Sequence, residues 1–291
     1  MTVPLLFILG NHRSGTTWLY QLLAGTGALT PLTAYHVITW GDASASRAQV
    51  AAALQDRGIS ERQLDGVAIS PDLPEEYCYI LNNEGFSSWS TRASLPLLRA
   101  VVSRLREEGQ GRPVVLKNPW DYANFELLAR EFPEARFVFL HRHPLRVVHS
   151  ALAVFRVMME APDAYLELLS RRYAALRQRP LRRRFLRWFS QRALAVELFA
   201  GGVRASNDYF LSRAGRLGER AMSLRYEDLC ADPGQQLGRI LDFLGLTGVE
   251  RPAVPARPGA GELPPELTRR QGRFNRQMRG YLERMGYGAE P

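Results

Sequence analysis

Runs of consecutive apolar residues alternate with segments of three-to-four periodicity along most of the chain. The runs Val3 to Leu9, Val114 to Leu116, Arg136 to Leu140 and Ala221 to Arg225 are short and continuous rather than alternating, which predicts strands buried on both faces. Between them, Leu95, Leu98, Val102 and Leu105, then Phe125, Leu128 and Phe132, recur at helical spacing. Strands alternating with helices predict an α/β fold, a central parallel β-sheet flanked by helices. Asp232 and Pro233 supply a cap and a first-position proline for a helix through Leu237, Ile240, Leu241 and Leu244 that stops at Gly245. Pro252, Pro255, Pro258, Pro264 and Pro265 predict a loop crossing, with a last helix near Asn275 to Arg284. No internal repeat divides the chain, so residues 1–291 are expected to form one domain.

Residues 163 to 200 predict one or two long helices with Leu181, Phe185, Trp188, Phe189, Val196 and Phe199 on one face and many arginines on the other. The plain reading is a solvated basic face over a packed apolar one; a funnel for an anionic ligand and an interfacial membrane helix are the alternatives.

Charge narrows the choice of partners. The 38 basic residues exceed the 29 acidic ones for a formal net charge of +9, which favours partners carrying phosphate or sulfate. All the basic residues but one are arginine, so the lone lysine, Lys117, stands out against a bias that replaced lysine elsewhere. Cys78 and Cys230 form no CxxC pattern and are too few for a disulfide framework or a zinc site, which predicts buried, reduced thiols and no metal. The N-terminal run has no basic n-region, no cleavage site and no apolar span of about 20 residues, so a cytoplasmic chain without stable membrane insertion is expected.

The first strand leads into Gly10-Asn11-His12-Arg13-Ser14-Gly15-Thr16-Thr17-Trp18 and then an apolar helix. Strand, glycine-bounded loop and helix N-terminus converge backbone N–H groups and the helix dipole on one point, an anion cradle. A nucleoside triphosphatase loop would place lysine directly after the second glycine; here Thr16 stands there and the cation comes earlier, at Arg13. A nucleotide kinase with an altered phosphate loop is therefore the lesser enzyme reading. A nucleic-acid-binding protein using the arginine-rich helices is the non-enzyme one, although no known recognition motif supports it and no nucleic-acid partner is expected.

The loop Arg13-Ser14-Gly15-Thr16-Thr17-Trp18 resembles the [KR]-S-G-T-T-W loop of the sulfotransferases that use 3'-phosphoadenosine 5'-phosphosulfate (PAPS), whose fold is P-loop-like and which include bacterial members. Further along, Arg142 leaves a strand end with Ser150 eight residues on, similar to the pair with which that family binds the 3'-phosphate. Such a strand end is where α/β sheets place ligands, and a guanidinium offers phosphate a bidentate fork. The segment Tyr226-Glu227-Asp228-Leu229 resembles a third family block, in which Tyr226 would line the adenine site. Arg270 and Gly272 are loosely similar to a basic-glycine segment that closes over the 3'-phosphate.

The resemblance implies transfer of a sulfuryl group from PAPS to a hydroxyl or amine of a small-molecule acceptor, by in-line displacement and with release of PAP. Arg13, Ser14, Gly15, Thr16, Thr17 and Trp18 would hold the donor, and Lys117 would stabilise the bridging oxygen. Cationic side chains can serve without a metal, because the sulfuryl group carries less charge than a phosphoryl group. The cytosolic branch keeps a catalytic histidine two residues after the lysine, where this chain has Pro119. By comparison with other branches the base is expected at His36, whose ordinary pKa lies near neutrality, or at Glu76, a carboxylate that can take the proton or orient the histidine. The acceptor's identity and the oligomeric state are not legible.

Overall fold

The computed structural model describes residues 4–42, 44–62, 66–250, 252–257 and 263–288. Val3, the expected start of the first strand, and Pro258 of the proline loop lie outside them. Five parallel strands form the central sheet: β1 (Leu5–Leu9), β2 (Thr30–Pro31), β5 (Val114–Lys117), β6 (Arg136–His141) and β7 (Ala221–Arg225), in the order β2-β5-β1-β6-β7. A separate antiparallel pair, β3 (Glu61–Arg62) and β4 (Val67–Ala68), lies in the connection between β2 and β5. The four strands read from apolar runs are all present, but β7, at the edge of the sheet, is not buried on both faces: Leu224 is buried while Ser223 is exposed. The additional edge strand, β2, is two residues long and too short to register as a pattern.

Side chains of β1 alternate between two apolar layers. Leu5, Phe7 and Leu9 face a core with Leu116, Phe125, Phe137 and Phe139, while Leu6 and Ile8 face the helices Thr16–Gly25 and Pro233–Leu244 through Leu19, Leu23, Leu237 and Ile240. All five β1 residues are buried, which explains why the run is continuous rather than alternating. Each such side chain contributes about 1.5 to 3 kcal/mol on removal from water. Phe7 also stacks on Phe137 at 5.6 Å between ring centres, tying the two central strands at matched register.

The helix after Asp232 is present as Pro233–Leu244, its N-terminus capped by the Asp232 carboxylate, which accepts from the Gln235 N–H at 2.8 Å. Where one or two long helices were expected over 163 to 200, there are four: Ala164–Leu169, Arg171–Arg177, Pro180–Ser190 and Ala193–Arg213. Asp163 and Ser170 cap the first two, and Pro180 begins the third, so capping chemistry cuts the periodicity into pieces. The last helix is likewise divided, into Gln271–Gln277 and Arg279–Met285.

Beyond β5 the chain is locked by one buried carboxylate. Asp121 accepts hydrogen bonds from the Ser90 N–H at 2.7 Å, the Ser90 hydroxyl at 2.8 Å, the Asn118 and Asn124 side-chain amides at 2.9 and 3.1 Å, and the Tyr77 hydroxyl. Removing it strands the Ser90 N–H, the Ser90 hydroxyl and the Tyr77 hydroxyl, while the Asn118 and Asn124 amides keep the Ser88 and Ser90 carbonyls as acceptors. Asp121→Ala is expected to cost about 3 kcal/mol or more, read as a lowered urea midpoint, because each orphaned donor forfeits roughly 1 to 3 kcal/mol unless water enters.

Candidate functional site

The carboxyl ends of β1, β5, β6 and β7 deliver the loop 10–17, Lys117, Arg142 and Tyr226 to one edge of the sheet. The loop leaves β1 at Gly10, where a Cβ would stand 2.5 Å from the Leu140 carbonyl oxygen and 2.6 Å from the Ser14 hydroxyl. Two left-handed residues then turn it, Arg13 at φ 71° and Gly15 at φ 96°. Gly15 is obligatory twice over, since a Cβ there would lie 2.2 Å from the Tyr226 ring. Arg13 accepts the strain of a conformation unusual for a side-chain-bearing residue, and its carbonyl is held by the Arg142 guanidinium at 2.9 Å.

Residues far apart in sequence meet here. Arg13 Nε donates to the Ser150 hydroxyl at 3.2 Å, and Arg142 lies 4.5 Å over the Tyr226 ring. Trp18 meets the same ring edge-on at 6.2 Å and carries Arg257 on its own face at 4.1 Å. Ser14 Oγ is buried without a hydrogen-bond partner, which marks a polar position open to a ligand at the loop. The structure thus brings together Arg13, Ser14, Gly15, Trp18, Arg142, Ser150 and Tyr226. Arg146, four residues beyond Arg142 in the first turn of the helix Pro144–Glu160, crowds the same corner. Burial and the neighbouring Arg142 charge pull its guanidinium below the ordinary arginine range, a tension that a bound phosphate would relieve.

Lys117 is buried at the end of β5, where its ammonium donates to the Thr17 hydroxyl at 2.7 Å and pairs with Glu76 Oε1 at 2.8 Å. A buried ammonium needs such partners. Burial raises the Glu76 carboxyl, but the Lys117 ammonium and then His12 outweigh it, so Glu76 stays ionised below the usual glutamate range. Its neighbour Glu75 faces elsewhere, accepting from the Tyr165 hydroxyl at 2.9 Å, and burial raises its carboxyl.

His12 is the residue the sequence reading passed over. It sits inside the loop 10–17, within the electrostatic reach of Glu76, Lys117 and Arg13, with its ring edge-on to Trp120 at 4.3 Å. Its Nε2 is buried with no hydrogen-bond partner. Burial drives its pKa below the ordinary histidine value against the pull of Glu76, which leaves the imidazole neutral at pH 7. The available signal was its position between Gly10 and Gly15.

His36, one of the two candidate bases, lies at the third position of the helix Ala34–Ile38, and its Nδ1 closes a capping box with Thr33 at 3.0 Å to the N–H and 2.8 Å to the hydroxyl. Its Nε2 pairs with Glu108 at 2.8 Å. Both ring nitrogens are thereby engaged. The ring lines a cavity of about 640 Å³ with Ala24 and Gly25, the end of the loop helix opposite to the one that meets the anion cradle. Arg270 and Gly272 are also not joined to the cluster. Arg270 donates to the Glu266 carbonyl at 2.7 Å and faces Glu197 at 3.5 Å, while Gly272 lies within the helix Gln271–Gln277 rather than in a closing loop.

His141 is held by the Tyr281 and Ser223 hydroxyls at 2.9 and 3.1 Å, and burial lowers its pKa to about 3. His143 packs edge-on against Tyr287, its pKa lowered to about 4 chiefly by burial. Among the described residues, no three His, Cys, Asp or Glu side chains gather as a metal site would require. Cys78 and Cys230 are both free and buried.

A model of the sulfotransferase family matches residues 4–250. Among solved structures, the chain is similar to sulfotransferase STF9 from Mycobacterium avium, at 19% identity and a TM-score of 0.66 over 100% of this chain and 79% of that one. It is also similar to sulfotransferase STF1 from Mycobacterium tuberculosis H37Rv, at 17% identity and a TM-score of 0.53 over 99% of this chain and 75% of that one. A sulfotransferase from Alicyclobacillus acidocaldarius gives 17% identity and a TM-score of 0.50 over 99% and 98% of the two chains. At these identities the likeness is one of fold. No curated protein matches the chain.

Proposed function

The chain belongs to the sulfotransferase family, and from that premise we propose that it transfers a sulfuryl group from PAPS to a hydroxyl or amine of a small-molecule acceptor, releasing PAP. The whole of 1–291 acts as one catalytic domain in the cytoplasm. The observation that carries the donor assignment is the meeting of Arg13, Arg142 and Ser150, from two separate strand ends and a helix, around a loop that already offers helix N–H groups. One anion would lie in the loop 13–17, and a second would lie against Arg142, Arg146 and Ser150. A nucleotide carrying both a 5'-phosphosulfate and a 3'-phosphate has its anions so divided. Tyr226 and Trp18 supply the aromatic surface between them.

The reaction assigned to the site is a displacement at sulfur. The acceptor oxygen forms the new S–O bond as the bond to the bridging oxygen breaks, and PAP departs with that electron pair. Lys117, at hydrogen-bond distance from Thr17 of the loop, is placed to meet the charge growing on the bridging oxygen. The acceptor's proton passes to His12 Nε2, a neutral imidazole nitrogen with no competing partner. Glu76 holds Lys117 and favours the imidazolium that results, the orienting rather than the proton-taking role.

Calorimetric titration with PAP, adenosine 5'-phosphosulfate and ATP plus magnesium tests the donor. PAP is expected to bind tightly, and adenosine 5'-phosphosulfate, which lacks the 3'-phosphate, about 10- to 100-fold more weakly. Arg142→Ala should cost PAP a similar factor and adenosine 5'-phosphosulfate a smaller one, since only PAP loses a charge-assisted hydrogen bond of roughly 1.5 to 3 kcal/mol while both feel the released Arg13 carbonyl. ATP binding with magnesium in the absence of PAP binding would sink the reading in favour of a kinase.

A further inference from the structure

Between residues 177 and 192 the chain carries seven arginines and no acidic residue. Within that stretch, the helix Pro180–Ser190 sets Leu181, Phe185 and Trp188 on one stripe. The sequence reading expects this stripe to pack inward. Instead Leu181 is 80%, Phe185 58% and Trp188 51% exposed.

The reason is that the helix is docked by its other side. Arg183 donates to the carbonyls of Met159 and Glu160 at 3.2 and 3.4 Å, Arg187 pairs with Glu160 at 2.8 Å, and Arg156 donates to the Ser190 carbonyl at 2.9 Å. These contacts fix it to the helix Pro144–Glu160 and leave the apolar stripe pointing away from the protein. Arg192 lies 4.4 Å over the Trp188 ring, and Leu194 and Leu198, one turn apart on the next helix, are exposed as well. Helical rotation puts the exposed Arg182 roughly 100° to one side of Leu181 and the exposed Arg184 about 60° to the other.

We infer that the helix Pro180–Ser190 docks the protein on an anionic membrane surface, Leu181, Phe185 and Trp188 entering the acyl boundary while Arg182 and Arg184 reach sideways to lipid phosphates. An apolar stripe flanked by long cationic side chains is the arrangement that an interfacial helix requires. No helix among the described residues is long and apolar enough to cross a membrane, so the association is peripheral. A second copy is the poorer occupant, because pairing this face with itself would set two acid-free arginine segments against each other. Nucleic acid would use the arginines but draw little from Leu181 and Phe185. The docked helix packs on Pro144–Glu160, which carries Arg146 and Ser150, so docking also fixes how the donor site faces the membrane.

Flotation of the full chain with phosphatidylglycerol-containing vesicles, against phosphatidylcholine alone, tests this. Binding is expected to the anionic vesicles only, to weaken with salt, and to fall about tenfold or more in Phe185→Ser/Trp188→Ser and several-fold in Arg182→Gln/Arg184→Gln, with PAP binding unchanged in both variants. Subtracting the emission of Trp188→Phe from that of the parent should isolate a blue-shifted Trp188 signal quenched by brominated lipid. Failure to float with anionic vesicles, or equal binding to neutral ones, overturns the inference. So does a dimer, or a complex with duplex DNA or RNA, that the Phe185→Ser/Trp188→Ser pair abolishes while vesicle binding persists.

Discussion

Lys117→Met is expected to lower the rate of PAP release at saturating donor and acceptor by about 100- to 1000-fold, the loss typical of removing one preorganised donor to a developing oxyanion, roughly 2.7 to 4 kcal/mol. PAP affinity should change by less than about tenfold in the same protein, because the ground-state anions are held by Arg13, Arg142 and the loop amides in this reading. That split between rate and affinity is the informative readout. A residue serving only to bind would show the reverse, a weakened complex with the saturated rate preserved. Methionine fills the buried volume of the lysine stem, yet it leaves Glu76 without its ammonium, so the urea midpoint must be followed alongside. Adding Glu76→Gln to Lys117→Met removes the orphaned carboxylate; it should restore stability and leave the rate low. Rate recovery in the double variant would show that the single substitution acted through the stranded charge. Lys117→Arg should not rescue, since the site between Thr17 and Glu76 accommodates a compact ammonium and a guanidinium presents a wider planar fork.

Much of this site is readable in one dimension because its parts are local. Strand, glycine loop and helix start lie within 5–17, and the apolar runs of β5, β6 and β7 end next to Lys117, Arg142 and Tyr226. Parallel strands all deliver their carboxyl ends to one edge, so identifying the runs also gathers the residues. Arg146 was legible in principle, in the first turn of the helix that follows Arg142 and one turn before Ser150. The setting of His36 was not, because the carboxylate that engages it, Glu108, is 72 residues away. Its capping partner, Thr33, is nearby, but the five-residue helix it opens is too short to register as a periodic pattern. The stripe Leu181, Phe185 and Trp188 shows a different limit. Periodicity says which side chains share a face, whereas the contacts of Arg156, Arg183 and Arg187 determine whether that face is covered. For His12, the direction of the side chain depends on the left-handed turn at Arg13, which residue types alone do not specify.

His12→Asn should lower kcat/KM by about 100- to 10,000-fold at pH 7 if it removes the proton acceptor, the range expected for a positioned general base. The pH profile separates His12 from Glu76. A base must be unprotonated, and burial holds the His12 pKa below 6.5, so kcat/KM of the parent should stay flat through neutrality and fall tenfold per pH unit only below the ordinary histidine range. Glu76 is ionised with a pKa below 4.5, so were it the base, the acid limb would lie in the carboxylate range and Glu76→Gln would abolish activity outright. With His12 as base, Glu76→Gln instead removes a negative charge that favours the imidazolium. The His12 pKa then falls further, and the acid limb moves to lower pH while a reduced but measurable rate remains. His12→Asn should erase the limb altogether. An unchanged limb in His12→Asn would remove His12 from the chemistry and return the proton to another group. The contact with Trp120 provides the structural control: Trp120→Leu should disturb the ring's packing and KM with a far smaller loss in kcat, since the imidazole nitrogen itself is retained.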